Sequence, residues 1–249
     1  MKTDQDVGDG IKPGPFNFND QHVVDSFDRH VSHSVPGYGD AQDCMAALGR
    51  HFAQAGTAII DIGCATGTTT AKLFEGGWSM PKDCKAVLVD PSSNMLDAAY
   101  AKVAAATTGL PEQIETCRAE LGSPDLDVFD GKASVIFCAF TLQFVPPAAR
   151  VDALEDMVAL LAPGGVLLLF EKQVPINAEM VDPMRQGHHD IKELEGYTRE
   201  QIAAKDRALR GVMHPQNLAN FEYELSRAGL VAEPVWRSLM FGGYACQKR

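Results

Sequence analysis

The run Asp61-Ile62-Gly63-Cys64-Ala65-Thr66-Gly67 carries the clearest chemistry in this 249-residue chain. Glycine has no Cβ, so Gly63 and Gly67 allow the backbone to come close to a ligand. Asp90 ends the next apolar run, and a carboxylate there can accept both hydroxyls of a ribose. The spacing is Gly-x-x-x-Gly with an acid two residues ahead. That is neither the Gly-x-Gly-x-x-Gly loop of dinucleotide sites nor the Gly-x-x-x-x-Gly-Lys-Ser/Thr phosphate loop. The plain alternative is that the glycines make a tight turn and Asp90 caps the following helix.

Other chemically able residues cluster after Phe170. His188-His189-Asp190 invites a metal, but neighbouring residues on a helix point about 100° apart, so the two imidazoles do not naturally share an ion. No metal site is expected there. Glu171-Lys172 faces the ligand side as a substrate-positioning pair or forms a surface salt bridge. Tyr197 belongs to a pocket wall or to the core. Arg185, Arg199 and Arg207 are the nearest cations. Phe140, Phe144 and Trp236 read as packing, and Thr141 and Gln143 as part wall, part core. Cys64 and Cys138 lie in apolar runs and read as buried thiols.

These residues need a scaffold, and the sequence predicts one. Short apolar runs at 57–62, 85–90, 113–118, 133–138 and 166–171 alternate with helical stretches at 43–54, 68–75, 92–106 and 147–161. Strands separated by helices imply βαβ units and a parallel sheet covered on both faces. Ser92 or Ser93 is placed to cap one helix, and Pro163-Gly164-Gly165 stops another. A charged helical segment spans 179–208, a further helix 215–229, and strands at 231–236 and 239–246 form an antiparallel edge hairpin. The expectation is a single α/β domain over 1–249, with a doubly wound, mostly parallel seven-stranded sheet. Residues 1–40 form an N-terminal tail or lid, 1–15 of it loose, with a polar and aromatic segment from 16 to 35. Residues 175–213 form a helical insertion before the hairpin.

The chain has 45% hydrophobic and 22% charged residues, with a net charge of −11. Such an acidic surface repels phosphate backbones, and no basic run offsets it, so direct nucleic-acid binding is not expected. Six cysteines without a Cys-x-x-Cys pair fit a reducing compartment. No secretory signal and no 18-residue apolar run is present, so the expectation is a cytoplasmic protein that spans no membrane.

The Asp-x-Gly-Cys-x-x-Gly run, Asp90 in register, Pro163-Gly164-Gly165 and the final hairpin together resemble class I S-adenosylmethionine-dependent methyltransferases. The resemblance implies a Rossmann-like fold and S-adenosyl-L-methionine as cofactor. It places Gly63, Ala65 and Gly67 against the methionine part, with Cys64 between them. Asp90, followed by Pro91, falls on the ribose, and Glu120 or Leu121 lies near the adenine. Ala139 and Phe140 complete the cofactor set.

A narrower resemblance covers residues 16 to 248. Ser34-Val-Pro-Gly-Tyr38, Phe140-Thr-Leu-Gln-Phe144, Glu171-Lys172, His188-His189-Asp190 and Gly196-Tyr197 look like the carboxy-S-adenosylmethionine synthase family. That family makes carboxy-S-adenosylmethionine from S-adenosylmethionine and prephenate. The resemblance implies that Tyr38 contacts the nucleoside. The chain departs from the family at two positions. Ala139 stands where the family has Asn, and an ungapped count places Asp206 where the family has the arginine that binds its product's extra carboxylate. One ion pair at 4 Å near a surface is worth roughly 4 kcal/mol, so the swing from cation to anion is about twice that before relaxation. Arg207 is adjacent but about 100° around the helix. The cavity is therefore expected to disfavour a second anion. Asp206, Tyr38 and Tyr197 are the candidate catalytic residues, with Asp206 orienting or deprotonating an amine or hydroxyl. The readings left open are a methyltransferase acting on a small molecule, carboxy-S-adenosylmethionine synthesis, ring closure of the cofactor releasing methylthioadenosine, and a non-catalytic binder. A homodimer is a further expectation.

Overall fold

A computed structural model describes residues 19–107 and 111–249. Residues 1–15, expected from sequence to be loose, and residues 16–18 of the segment leading from them lie outside the described residues. The chain opens with two helices, α1 (Gln21–Ser34) and α2 (Tyr38–Phe52). There follow β1 (Ala58–Ile62), α3 (Thr68–Lys72), β2 (Lys85–Val89), α4 (Ser93–Ala106), β3 (Ile114–Cys117), β4 (Ala133–Ala139), α5 (Arg150–Leu160) and β5 (Leu161–Val174). The last part holds α6 (Val181–Leu194), α7 (Arg199–Ala208), β6 (Gln216–Asn217), α8 (Leu218–Arg227), β7 (Leu230–Ser238) and β8 (Phe241–Lys248).

The main sheet has the order β3-β2-β1-β4-β5-β8-β7, with β6 as a two-residue pairing on β5. The first five strands of that order run parallel, while β8 pairs antiparallel with both β5 and β7. Strand β1 is buried along its whole length, as a parallel strand covered on both faces must be. One core layer joins alternate side chains such as Ile60, Val87 and Leu167 to α5 and α8. The other joins Ile59, Leu88 and Phe137 to α2 and α4.

Several boundaries differ from the sequence expectation. The polar segment before Val35 is helix α1, capped by the Asp20 side chain on the His22 amide. Its Val23, Val24 and Phe27 pack on Met95 and Ala98 of α4. Helix α2 starts at Tyr38 rather than 43, because Gly37 turns the chain with φ +72°. The charged stretch is two helices rather than one. Gly196 at φ +101° ends the first, and a capping box from Thr198 and Gln201 starts the second. Strand β5 begins directly after α5. Its pairing with β4 then shifts register across Pro163-Gly164-Gly165 before Val166 resumes the ladder.

Candidate functional site

Parallel sheets bind ligands beyond the carboxyl ends of their strands. Two adjoining cavities open there. The first, of about 220 Å³, is lined by Gly63, Cys64, Ala65, Thr66, Asp90, Pro91, Ala139, Phe140, Thr141 and Tyr38, among others. Gly63 follows β1, Asp90 follows β2 and Ala139 ends β4, so three neighbouring strand ends supply its floor.

Asp90 organises this cavity. Its Oδ2 accepts the Ala65 amide at 3.0 Å and its Oδ1 the Ser92 amide at 2.9 Å. The cap of α4 is Ser92, whose hydroxyl accepts the Met95 amide. Asp90 instead ties the glycine loop to that cap. Each carboxylate oxygen keeps acceptor capacity beyond its one amide, which suits a pair of ribose hydroxyls. Burial raises its pKa, and the two amides pull it back. Asp61 lies behind the loop, fully buried, and accepts Thr70 Oγ1 at 2.7 Å. Burial pushes its carboxyl up to about 7.

The two glycines differ. A Cβ on Gly63 would fall 2.4 Å from Thr141 Oγ1 and 2.5 Å from its Cγ2, so Gly63 lets the loop after β4 close on the loop after β1. Gly67 caps α3 with φ +74°, and its Cβ would meet Ala99 of α4 at 3.0 Å. Gly67 therefore serves helix packing and does not line the cavity. Ala65 and Phe140 hold positive φ of 47° and 58°, uncommon for residues with a Cβ. Both line the cavity, where such backbone strain tends to collect. The Tyr38 ring stands 6.0 Å from that of Phe140. Burial, Asp28 and Asp61 raise the Tyr38 hydroxyl pKa, so it stays protonated.

Helix α1 covers this cavity. Asp28 receives hydrogen bonds from Thr68 (3.0 Å), Thr66 and Lys102, which fastens the helix to the glycine loop and to α4.

The second cavity, of about 130 Å³, shares Phe27, Val31, Phe140 and Phe144 with the first. Besides Gln143 of the turn after β4, its polar lining comes from four elements: His30 and Ser34 of α1, Lys172 of β5, His188 and Lys192 of α6, and Lys205 and Asp206 of α7. Three ammonium groups thus share one small space. Burial lowers all three, and repulsion from neighbouring lysines adds to it for Lys192, which falls to about 8, and for Lys205, which falls well below the ordinary lysine range. Among the described residues, neither Lys172 nor Lys192 makes a side-chain hydrogen bond or ion pair. Asp206 accepts from His189 Nε2 at 3.0 Å, and Arg207 is exposed. Among the described residues no group of three possible metal ligands occurs.

A methyltransferase-domain family model matches residues 59–165, the span from β1 into β5. A carboxy-S-adenosyl-L-methionine synthase of Photobacterium profundum is 31% identical over 225 residues, 90% of this chain and 88% of that protein. The chain belongs to the carboxy-S-adenosyl-L-methionine synthase family. A synthase of Citrifermentans bemidjiense is 32% identical over 222 residues, 87% of this chain and 86% of its own. An O-methyltransferase family protein from Burkholderia thailandensis superposes with a TM-score of 0.63 at 19% identity, over 95% of this chain and 65% of that longer one. This last likeness establishes the Rossmann-like fold. As a carboxy-S-adenosyl-L-methionine synthase family member, the chain is an S-adenosylmethionine-dependent enzyme, and the first cavity has the donors, acceptors and close backbone approach that such a cofactor requires.

Of the residues named from sequence, Tyr38, Gly63, Cys64, Ala65, Asp90, Pro91, Ala139 and Phe140 line the first cavity. Asp206 lines the second. Glu120 is exposed and Leu121 packs against the core below α5, both outside the two cavities. Tyr197 is buried behind the second cavity, its hydroxyl 2.9 Å from His30 Nδ1 and 3.2 Å from Ser34 Oγ. Phe140 and Phe144, expected as packing, are walls of both cavities. Glu171 and Lys172 part company. Glu171 is fully buried and binds Arg150, which also reaches Glu224 at 2.8 Å, so it forms neither a surface bridge nor a substrate contact. Lys172 faces the cavity because successive strand residues point to opposite faces. His188 donates Nε2–H to the Ser34 carbonyl at 2.8 Å.

The cavity expected to disfavour a second anion has a lining that the expectation did not include. That expectation weighed Asp206 alone, whereas three lysines surround it. Lys192 and Lys205 did not look informative in sequence, because each sits in a polar stretch where a solvated lysine is the ordinary reading. The only available signal was Lys172 directly after an apolar strand.

Proposed function

We propose that the protein is an S-adenosylmethionine-dependent transferase that takes a small anionic molecule as its second substrate in the lysine-lined cavity. The single observation that carries this reading is the buried Lys192 ammonium, which among the described residues has no hydrogen bond or ion pair, beside the half-buried Lys172, whose ammonium faces only the Phe241 ring at 5.9 Å. A buried charge without a partner is costly, and an incoming carboxylate relieves that cost. Phe140 and Phe144 form the shared wall, so a ligand in each cavity meets the other at that point.

The cofactor supplies an electrophilic methyl on a sulfonium. The chain's own contribution is placement. Asp90 holds the ribose, the glycine loop the methionine part, Tyr38 and Phe140 bound the nucleoside, and the lysines orient the anion. Positioning of this kind supplies most of the rate in a simple displacement. The acceptor's nucleophile bonds to the methyl carbon as the carbon–sulfur bond breaks towards sulfur, and the nucleophile's proton leaves.

Carboxy-S-adenosylmethionine synthesis is the second reading. The family relationship over 90% of the chain favours it, as does a cage able to hold a carboxylate. Asp206 in the arginine position weighs against it. Incubation with S-adenosylmethionine, with and without prephenate or a panel of small carboxylates, followed by mass spectrometry, separates the readings. We expect S-adenosylhomocysteine and a methylated acid. A cofactor gaining one carboxyl group selects the second reading. Methylthioadenosine without any acceptor, or unchanged cofactor with every acid, overturns both.

A further inference from the structure

The second cavity contains a hydrogen-bonded chain that anion binding does not require. Lys205 Nζ donates to Ser34 Oγ at 3.0 Å and lies against His30 Nε2. His30 Nδ1 is 2.9 Å from the Tyr197 hydroxyl, which in turn lies 3.2 Å from Ser34 Oγ and 3.3 Å from the His30 carbonyl. The four side chains close a ring built from α1, α7 and the turn before α7.

We propose that Lys205 is the proton acceptor of the second cavity, with His30 and Tyr197 as positioning residues that keep both of its protonation states hydrogen-bonded. The inference rests on the reading of that cavity as the second-substrate site.

The ring can be written in two complete forms. With Lys205 neutral, Tyr197 O–H donates to His30 Nδ1, and His30 Nε2–H donates to the lone pair of Lys205. With Lys205 charged, an ammonium N–H donates to His30 Nε2, and His30 Nδ1–H donates to the Tyr197 oxygen. The Tyr197 hydroxyl then turns to Ser34 Oγ or to the His30 carbonyl. A change of imidazole tautomer therefore accommodates the added proton without orphaning a buried donor or acceptor.

The groups facing Lys205 set which form dominates. Lys172 comes from β5, Lys192, His188 and His189 from α6, His30 from α1, and Asp206 from its own helix. The two neighbouring ammonium groups and burial favour the neutral amine, and Asp206 alone among them opposes this. Lys172 and Lys192 are left to bind the anion. In transfer to a hydroxyl or amine, the acceptor atom bonds to the methyl carbon and the carbon–sulfur pair returns to sulfur. Once His30 passes to its Nδ1–H tautomer and frees the Lys205 lone pair, the acceptor's proton moves to Lys205 Nζ, which becomes ammonium, donates to His30 Nε2 and later releases the proton to water.

The test begins without any ligand. The full chain carrying ¹³C-labelled lysine is titrated by NMR, with the Lys205 ε-carbon identified by its loss in Lys205→Arg or, should that variant misfold, in Lys205→Met. The expected midpoint lies at least about one pH unit below that of the exposed Lys82. A midpoint equal to that of Lys82 overturns the proposal. Cofactor affinity and turnover are then measured on the same proteins. Lys205→Arg keeps a cation but accepts no proton at these pH values. It should bind S-adenosylmethionine within about threefold of the parent and turn over at least ~100-fold more slowly. Turnover at the parent rate overturns the proposal. If the parent forms no product with any acid, the reading of the second cavity fails, while the titration still decides the state of Lys205.

Discussion

The two adjoining cavities are made in different ways. The first is a backbone device. Its key contacts are two amides on Asp90, a glycine that lets Thr141 approach, and two residues held at positive φ. The second is a side-chain device in which cations and one anion arrive from four separate elements. A backbone cradle tolerates little change and fixes what it binds. A charge cage can be retuned by exchanging single residues. The comparison suggests that the cofactor is the constant of this fold and that the second substrate is its variable.

The sharpest test of the backbone device is Asp90→Ala. It removes an acceptor for two amides and the ribose contacts at once. Hydrogen bonds to charged groups are each worth roughly 1.5–3 kcal/mol, so affinity for S-adenosylmethionine should fall ~100-fold or more by calorimetry. Anion binding in the second cavity should persist. Loss of both together would show that the cavities do not behave as separate devices.

Gly63→Ala comes next. The added methyl meets Thr141 at 2.4 Å on a backbone with φ +68°. Strain of this kind costs about 1–3 kcal/mol. Cofactor affinity should drop by about tenfold, with a lower Tm. Thr141→Ala in the same chain should restore part of the affinity, because it removes the clash but leaves the φ penalty.

Legibility follows the same division. The glycine loop, Asp90 and the alternation of strands and helices were readable because backbone devices are local: a few residues in fixed register carry the geometry. The cage was not, because Lys172, Lys192 and Lys205 are far apart in sequence and each is unremarkable alone. Helix α1 shows a different obstacle. Its apolar stripe at Val23, Val24, Phe27 and Val31 has helical spacing. Three histidines and three serines among its 14 residues mask the pattern, since both types are indifferent helix formers. Arg150, the centre of a buried ion network with Glu171 and Glu224, lay inside the amphipathic helix expected over 147–161, where an arginine draws no notice.

A pH experiment probes the cage without any ligand. Lys192 titrates near 8 in the folded protein and near the usual lysine value when unfolded. Below about pH 8 both states are charged and the fold bears the full cost of burying the ammonium. Between about 8 and 10.4 the unfolded state binds more protons than the folded one, so stability rises with pH across that window. Lys192→Met should flatten the rise in Tm over that range and raise stability at pH 7. It should also weaken inhibition by small carboxylates by about tenfold while leaving cofactor affinity unchanged. A Tm that falls across the window in the parent would contradict a buried, charged Lys192.

Asp206→Asn should have the smallest effect. The carboxylate is 40% exposed and already shared with His189, so solvent screens much of its field. Replacing it with the amide removes one negative charge from the cage and keeps the shape. Affinity for a carboxylate should therefore rise, but only by about two- to fivefold, and the gain should shrink as salt is added. Asp206→Arg goes further in the same direction by putting a cation where the carboxylate stood. If the family's arginine is what commits these enzymes to a carboxylated product, Asp206→Arg supplied with prephenate should begin to form carboxy-S-adenosylmethionine, where Asp206→Asn only binds the anion more tightly. Equal behaviour of the two variants would mean that the three lysines alone set the cage's preference and that Asp206 serves mainly to hold His189.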